Sequence, residues 1–209
     1  MSENAAKYPA TLSVDYAGQS DRLKTLFRCF MAIPILVILS LLVSAQTQGP
    51  ESGENARRAY AAGLVVAPTV LMILFRRKYP RWWFDWNLAL TRFVARVWAY
   101  VLFLRDEYPS TDEEQAVHIE APYPNAVELN RWLPLVKWLL ALPHVVVLAF
   151  LWAAAVCVSI VAWFIILFTG RYPQELFDFV VGVMRWTLRV SAYAMLLTTD
   201  QYPPFSLSA

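Results

Sequence analysis

The chain is short of cysteine, glycine and charge, and each shortage narrows what it can be. Two cysteines in 209 residues, Cys29 and Cys157, both inside apolar runs, exclude a disulfide framework and predict no metal site, because such thiols behave as small hydrophobes. Charged residues reach only 16%, against roughly 25% in soluble globular domains. The six glycines form no Gly-x-Gly-x-x-Gly, Walker or Gly-x-Ser-x-Gly fingerprint, which removes the familiar nucleotide and nucleophile sites. The net charge of +2 provides no polycation, so no nucleic-acid partner is expected. What remains is apolar: 58% hydrophobic and 15% aromatic residues, with nine Trp. That balance belongs to a membrane protein.

Apolar runs occupy residues 29–45 and 59–75, separated by a polar linker at 46–58 that holds Gly49, Pro50 and Gly53. Each run is roughly 25 Å long as a helix, close to the minimum for crossing a bilayer core, and together they predict a helical hairpin. The sequence Val43-Ser44-Ala45 resembles a signal cleavage site, yet the long polar stretch before the run is unlike a signal n-region, so an uncleaved first span is expected. A third run, residues 133–168, has Lys137 as its sole charge. As a straight helix it measures about 54 Å, nearly twice one crossing.

Two further stretches, residues 81–104 and 174–197, are of helix length and rich in Trp, Phe, Leu and Val, yet each carries an Asp and at least two Arg. At 100° per residue, Asp85, Arg92 and Arg96 fall within about 40° of one another, and Asp178, Arg185 and Arg189 do the same. The two stretches align without gaps at an offset of 93. Between residues 75–104 and 168–197, 11 of 30 positions are identical, Tyr79, Pro80, Asp85, Arg92, Arg96 and Tyr100 among them. Upstream the offset becomes 109, matching Arg22, Leu26, Ala32, Pro34 and Val37 to Arg131, Leu135, Ala141, Pro143 and Val146, with Arg28 facing Lys137. This pattern predicts an internal repeat. By analogy with the first two runs, residues 133–168 are then expected to be a second hairpin turning near residues 150–155, with one long helix as the alternative.

Basic residues collect before the first span (Arg22, Lys24, Arg28), after the second (Arg76, Arg77, Lys78, Arg81) and around the third run (Arg131, Arg171), while the linker balances Glu51 and Glu54 against Arg57 and Arg58. The positive-inside rule then predicts both termini on the cytoplasmic side.

The segments Leu129-Asn-Arg-Trp-Leu-Pro-Leu-Val-Lys-Trp-Leu-Leu-Ala-Leu-Pro-His144, Phe168-Thr-Gly-Arg-Tyr-Pro173, Leu176-Phe-Asp-Phe-Val-Val-Gly-Val-Met-Arg-Trp186, Arg189-Val-Ser-Ala-Tyr193 and Tyr202-Pro-Pro-Phe205 resemble the domain-of-unknown-function family numbered 4389. The resemblance implies a bacterial integral membrane protein, with two tandem copies here, in the cytoplasmic (inner) membrane; it implies no reaction. The first unit departs from the pattern, with Arg76-Arg77-Lys78 in place of Thr169-Gly170-Arg171 and Arg81-Trp82-Trp83 in place of Gln174-Glu175-Leu176. A family ligand site would therefore lie in the second unit.

The expected fold is an all-α integral membrane protein of two tandem repeats, residues 8–114 and 115–209, each a transmembrane hairpin plus an amphipathic interfacial helix. Charges in hydrocarbon cost about 2.5 to 3.5 kcal/mol each, so the Asp/Arg stripes are expected at the interface, the helices lying flat with Trp82, Trp83, Trp86 and Trp186 at headgroup depth. Asp85, Arg92, Arg96, Asp178, Arg185, Arg189 and Arg171 are the candidate anionic-lipid contacts, because Arg holds a phosphate bidentately. His144 is expected to be a locally hydrogen-bonded histidine, and Asp112-Glu113-Glu114 a solvated loop without the pocket that acid/base chemistry requires. The function expected is a non-enzymatic scaffold or accessory subunit without cofactors, contacting the bilayer, a partner membrane protein or a second copy. The alternative is a small oligomeric channel or transporter with the stripes lining a cavity.

Overall fold

The structure, a computed structural model, describes residues 8–44, 69–76, 78–111, 113–124, 129–130 and 132–208. Most of the second apolar run, the linker before it, Arg77, Asp112 and Arg131 lie outside these residues. In chain order the elements are β1 (Thr11–Val14), α1 (Arg22–Ser44), a π-helical turn (Met72–Arg76), α2 (Arg81–Val101), β2 (Val117–Glu120), α3 (Pro134–Thr169) and α4 (Gln174–Ala194).

The third apolar run is one continuous helix of 36 residues, α3, which corrects the expected hairpin. No Gly or Pro interrupts residues 150–155, and Ala153, Ala154 and Ala155 are the best of helix formers, so the backbone ladder has no reason to break there. Pro143 lies inside the helix without ending it. A left-handed Gly170 (φ 73°) closes α3, its N–H bonded to the Ile166 carbonyl at 2.7 Å. A side chain there would be strained by that φ and would meet the Arg22 guanidinium 3.2 Å away.

Most of α3 is exposed apolar surface; what it buries is a narrow seam of Pro134, Lys137, Ala141, His144, Leu148, Ala155, Ser159, Ala162 and Ile166. These recur every three or four residues, one side of a helix. The seam gathers the helix's polar groups, Lys137, His144 and Ser159, away from the exposed apolar side. Its alanines let α4 come close, and the two form the largest helix contact in the fold, with Phe177, Val180, Val183 and Met184 joining Ala155, Ala162 and Ile166 in the core. α3 is long and apolar enough to cross a membrane, and α1 becomes a second such element if its two parts, bent by 50°, count as one span.

α2 and α4 begin directly after the two Tyr-Pro turns, at Pro80 and Pro173. Their buried faces supply most of the core, as their apolar arcs predict. An antiparallel pair of short strands, with Leu12 opposite Ile119, corrects the all-α expectation. Val117 and Ile119 point inward while His118 and Glu120 point out; this period of two was legible in the sequence but spans only four residues. Two strands alone are marginal in water, so the helices beneath must hold them.

Tyr79 and Tyr172, at 3% and 1% exposure, mark how tightly the Tyr-Pro turns are packed. Burial pushes each phenol up to about 12, and the Tyr79 hydroxyl donates to the Leu196 carbonyl at 2.9 Å. With folded values above the unfolded value of about 10, the neutral phenols stabilise the fold fully below pH 10, and this contribution is lost as pH rises toward 12. Melting temperature in detergent should thus hold to about pH 9.5 and fall steeply above it. Tyr79→Phe should flatten part of that fall; an identical alkaline profile in the variant would refute the assignment.

Candidate functional site

The sequence singled out two stripes of one Asp and two Arg, and the structure separates the charges within them. Asp85, Asp178 and Arg171 are exposed, whereas the four stripe arginines turn toward backbone carbonyls of extended segments. Arg92 donates through Nε and Nη2 to the Ile119 carbonyl at 3.2 and 3.1 Å, and Arg185 donates through Nε to the Leu12 carbonyl at 3.1 Å. Both carbonyls belong to the central strand pair. Arg96 reaches the Ser110 carbonyl at 2.8 Å, and Arg185 also reaches that of Leu207 at 3.0 Å. Buried Arg189 holds the Ser206 and Ser208 carbonyls at 3.2 and 2.6 Å. A guanidinium has five donors in a fixed fork, which suits it to bind the loose carbonyls of irregular backbone. The stripes are therefore the clamps that fasten the strands and the C-terminal segment onto α2 and α4.

Two ion pairs with buried cations and half-buried aspartates, which the sequence did not single out, lie at the ends of these helices. Arg28 of α1, 1% exposed at its side chain, pairs with Asp106 and sits over the rings of Tyr100 and Phe103 at 5.0 and 5.4 Å. Lys137 of α3, also 1% exposed, pairs with Asp200 at 2.7 Å, lies over Tyr193 at 5.0 Å and donates to the Thr199 carbonyl at 2.7 Å. Each Asp also accepts a backbone N–H, Asp106 from Asp21 at 2.8 Å and Asp200 from Asn130 at 2.6 Å. The available signal was an Asp two residues before each closing Tyr-Pro, at Tyr108-Pro109 and Tyr202-Pro203.

Contacts between the halves also recur in crossed form. Tyr16 donates to the Tyr172 carbonyl and packs on Phe177 with centroids 5.1 Å apart, while Tyr123 donates to the Tyr79 carbonyl and packs on Phe84 at 5.3 Å. One matched contact differs in chemistry. His144 accepts from the Trp186 indole N–H at 3.1 Å, which leaves its proton on Nε2, and its ring stacks on Phe205 at 3.9 Å; at the aligned place in the first half, Ile35 packs with Phe93. Asp178, exposed near the start of α4, is not among the His144 contacts, which are Trp186, Tyr202 and Phe205.

Among the described residues, two of the cavities beside this framework are large enough for a ligand. One, of about 460 Å³, lies between the start of α1 and the end of α2 and is lined by Lys24, Tyr100, Arg105, Asp106, Glu107 and Tyr108, among others. Asp106 there is engaged by Arg28, and Glu107 by Arg105 at 3.1 Å; the Lys24 ammonium has no carboxylate partner among the described residues. The other, about 890 Å³ and mostly apolar, runs along α3 and α4 between Leu135, Trp138, Trp152, Val190 and Met195. Among the described residues no three His, Cys, Asp or Glu side chains converge as metal ligands, and Cys157 is a free, exposed thiol.

Comparison with known proteins adds one finding. Residues 132–206 match the model of the family described as Domain of unknown function (DUF4389). That stretch runs from just before α3 to the C-terminal segment, so it contains the apolar helix with its seam, the second Tyr-Pro turn, α4 with Arg185 and Arg189, and the Lys137–Asp200 pair. The DUF4389 match leaves β2 and the whole first half outside its bounds. No curated protein and no solved structure matches the chain.

Proposed function

We propose that the protein is a non-enzymatic membrane scaffold of the bacterial cytoplasmic membrane, built from two tandem copies of one unit, which binds phospholipid headgroups at its first copy. The observation that carries the membrane reading is α3: 36 residues long, apolar, and packed against protein along one seam only. Exposed Leu, Val, Ile and Phe over the rest of such a helix have no aqueous rationale. The duplication rests on the matched contacts, in which Arg28, Asp106, Tyr100 and Asp21 take the places of Lys137, Asp200, Tyr193 and Asn130. Because Tyr16 and Tyr123 each reach across to the opposite copy, the copies hold one another by exchanged N-terminal arms.

Headgroup binding is assigned to the cavity beside α1 rather than to the stripes, whose arginines are occupied by backbone carbonyls. That cavity is of ligand size and is lined by Lys24 and Arg105 with Asp106 and Glu107; Arg28, buried behind the wall, already pairs with Asp106 and Arg105 with Glu107, which leaves the Lys24 ammonium as the uncompensated positive charge. Lys24 and Arg105 align with Leu133 and Thr199 in the second copy, so the fold does not require these two charges. Exposed Arg22, two residues before Lys24 on α1, lies beside Gly170 and so brings its charge close to exposed Arg171.

Lys24→Gln combined with Arg105→Gln should lower retention of phosphatidylglycerol by the detergent-purified protein about tenfold in native mass spectrometry, with phosphatidylcholine retention unchanged. Equal phosphatidylglycerol retention in variant and parent would remove the headgroup site. An oligomeric channel is not favoured, since the stripe arginines are engaged by backbone carbonyls of their own chain.

A further inference from the structure

We propose that α3 lies in the plane of the membrane, immersed in one leaflet along its length, instead of crossing the bilayer. This rests on the membrane reading above and deepens it by naming the surface and its occupant. At 1.5 Å per residue α3 is about 54 Å long, against a hydrocarbon core of about 30 Å. Length alone would permit a steep tilt; the placement of the strand pair does not. Trp152, at the middle of α3, donates to Thr187 of α4 at 3.0 Å, and two residues away Arg185 of α4 grips Leu12 of β1. The sheet therefore sits beside the midpoint of α3, with α4 between them.

A crossing α3 would carry the sheet to the bilayer centre. There the His118–Asp15 pair, 54% and 64% exposed at 3.3 Å, and outward-facing Ser13 and Glu120 would meet hydrocarbon, at about 2.5 to 3.5 kcal/mol for each charge. The outer edges of a two-stranded ribbon would also lie in lipid, where the backbone groups that Arg185 and Arg92 do not hold find no partners.

An in-plane α3 removes both conflicts. A helix is about 10 to 12 Å thick with its side chains, and one leaflet offers about 15 Å of hydrocarbon, so the helix fits within it. Leu139, Val146, Phe150, Ile160, Phe164 and Phe168, each at least half exposed, then face acyl chains. α2 and α4 occupy the headgroup layer, where exposed Trp82 and Trp86 and the basic Arg81 and Arg171 match its polarity and charge. The strand pair comes to lie in water. α1 shares the immersed layer antiparallel to α3, since Ser20 bonds to the Gly170 carbonyl at 2.9 Å and Trp163 donates to the Thr25 carbonyl at 3.1 Å.

The test is labelling of single cysteines with a membrane-impermeant maleimide, in full-length protein carrying Cys29→Ala and Cys157→Ala, in vesicles of both orientations. Asn130→Cys and Thr169→Cys, at the two ends of α3, should label from the same side, and Ala153→Cys at its middle from neither. Labelling of the two ends from opposite sides would overturn the proposal in favour of a crossing, and labelling of Ala153→Cys from the far side would overturn it in favour of a hairpin. Oriented circular dichroism of the unmodified protein in aligned bilayers is independent of these variants; a dominant signal along the membrane normal would also overturn it. Should the protein instead elute from membranes at high pH and stay monodisperse without detergent, the membrane reading itself falls, an outcome distinct from either misplacement of α3.

Discussion

Asp106→Ala should destabilise the protein by about 3 to 5 kcal/mol, the range for stripping one partner from a buried ion pair. The loss is large because Arg28 cannot escape. Its side chain is 1% exposed, and the neighbouring Tyr100 and Phe103 faces offset only a fraction of its desolvation. The Asp21 N–H also loses its acceptor. Asp106→Asn, which keeps that acceptor but not the charge, should fall between parent and Ala. Asp200→Ala should cost less, because Lys137 retains the Thr199 carbonyl at 2.7 Å and an ammonium, unlike a guanidinium, can shed its proton. Unfolding in detergent mixtures with rising SDS measures all three; an Asp106→Ala midpoint equal to that of the parent would dismiss the pair as a structural element.

Ala162→Leu should cost about 1 to 3 kcal/mol or prevent assembly, the penalty for overpacking. Ala162 and Ala155 have no exposed surface, and the core around them is filled by Phe177, Val180 and Ile166. Three additional heavy atoms would push α4 off the seam. The clamps depend on that docking, so the strand pair should loosen too, seen as faster hydrogen exchange at Leu12 and Ile119. On the opposite side of the same helix Ile160→Leu should be silent, because Ile160 is 52% exposed and any apolar side chain serves there. Similar losses for the two substitutions would contradict a single packed seam.

The helices α1 to α4, their Tyr-Pro boundaries and the matched spacing of Arg92 with Arg185 were legible because each follows from periodicity and local backbone chemistry. The hairpin in the third run was misjudged because the alignment argued for a turn while residues 150–155 contain no residue that makes one. The strands escaped notice because four alternating residues carry little weight until a distant partner is in register, as Leu12 is with Ile119. The stripes were located correctly on their helices, but their partners were not: a helical wheel tells which side Arg92 occupies and is silent about whether a phosphate or the Ile119 carbonyl will face it.

Composition and periodicity by themselves determined that the chain holds a run long and apolar enough to cross a membrane, which described segments are helical, where two stretches echo one another and which charges are too costly to be incidental. Those are properties of transfer free energy and local geometry, and both are written residue by residue. Only the tertiary structure decided what the charges do. Four arginines hold backbone, two buried cations take aspartates from beyond the next helix, and Lys24 and Arg105 share a cavity that no spacing rule predicts. Such assignments depend on which distant carbonyl or carboxylate arrives first, and that is settled by packing α4 along one narrow seam of α3.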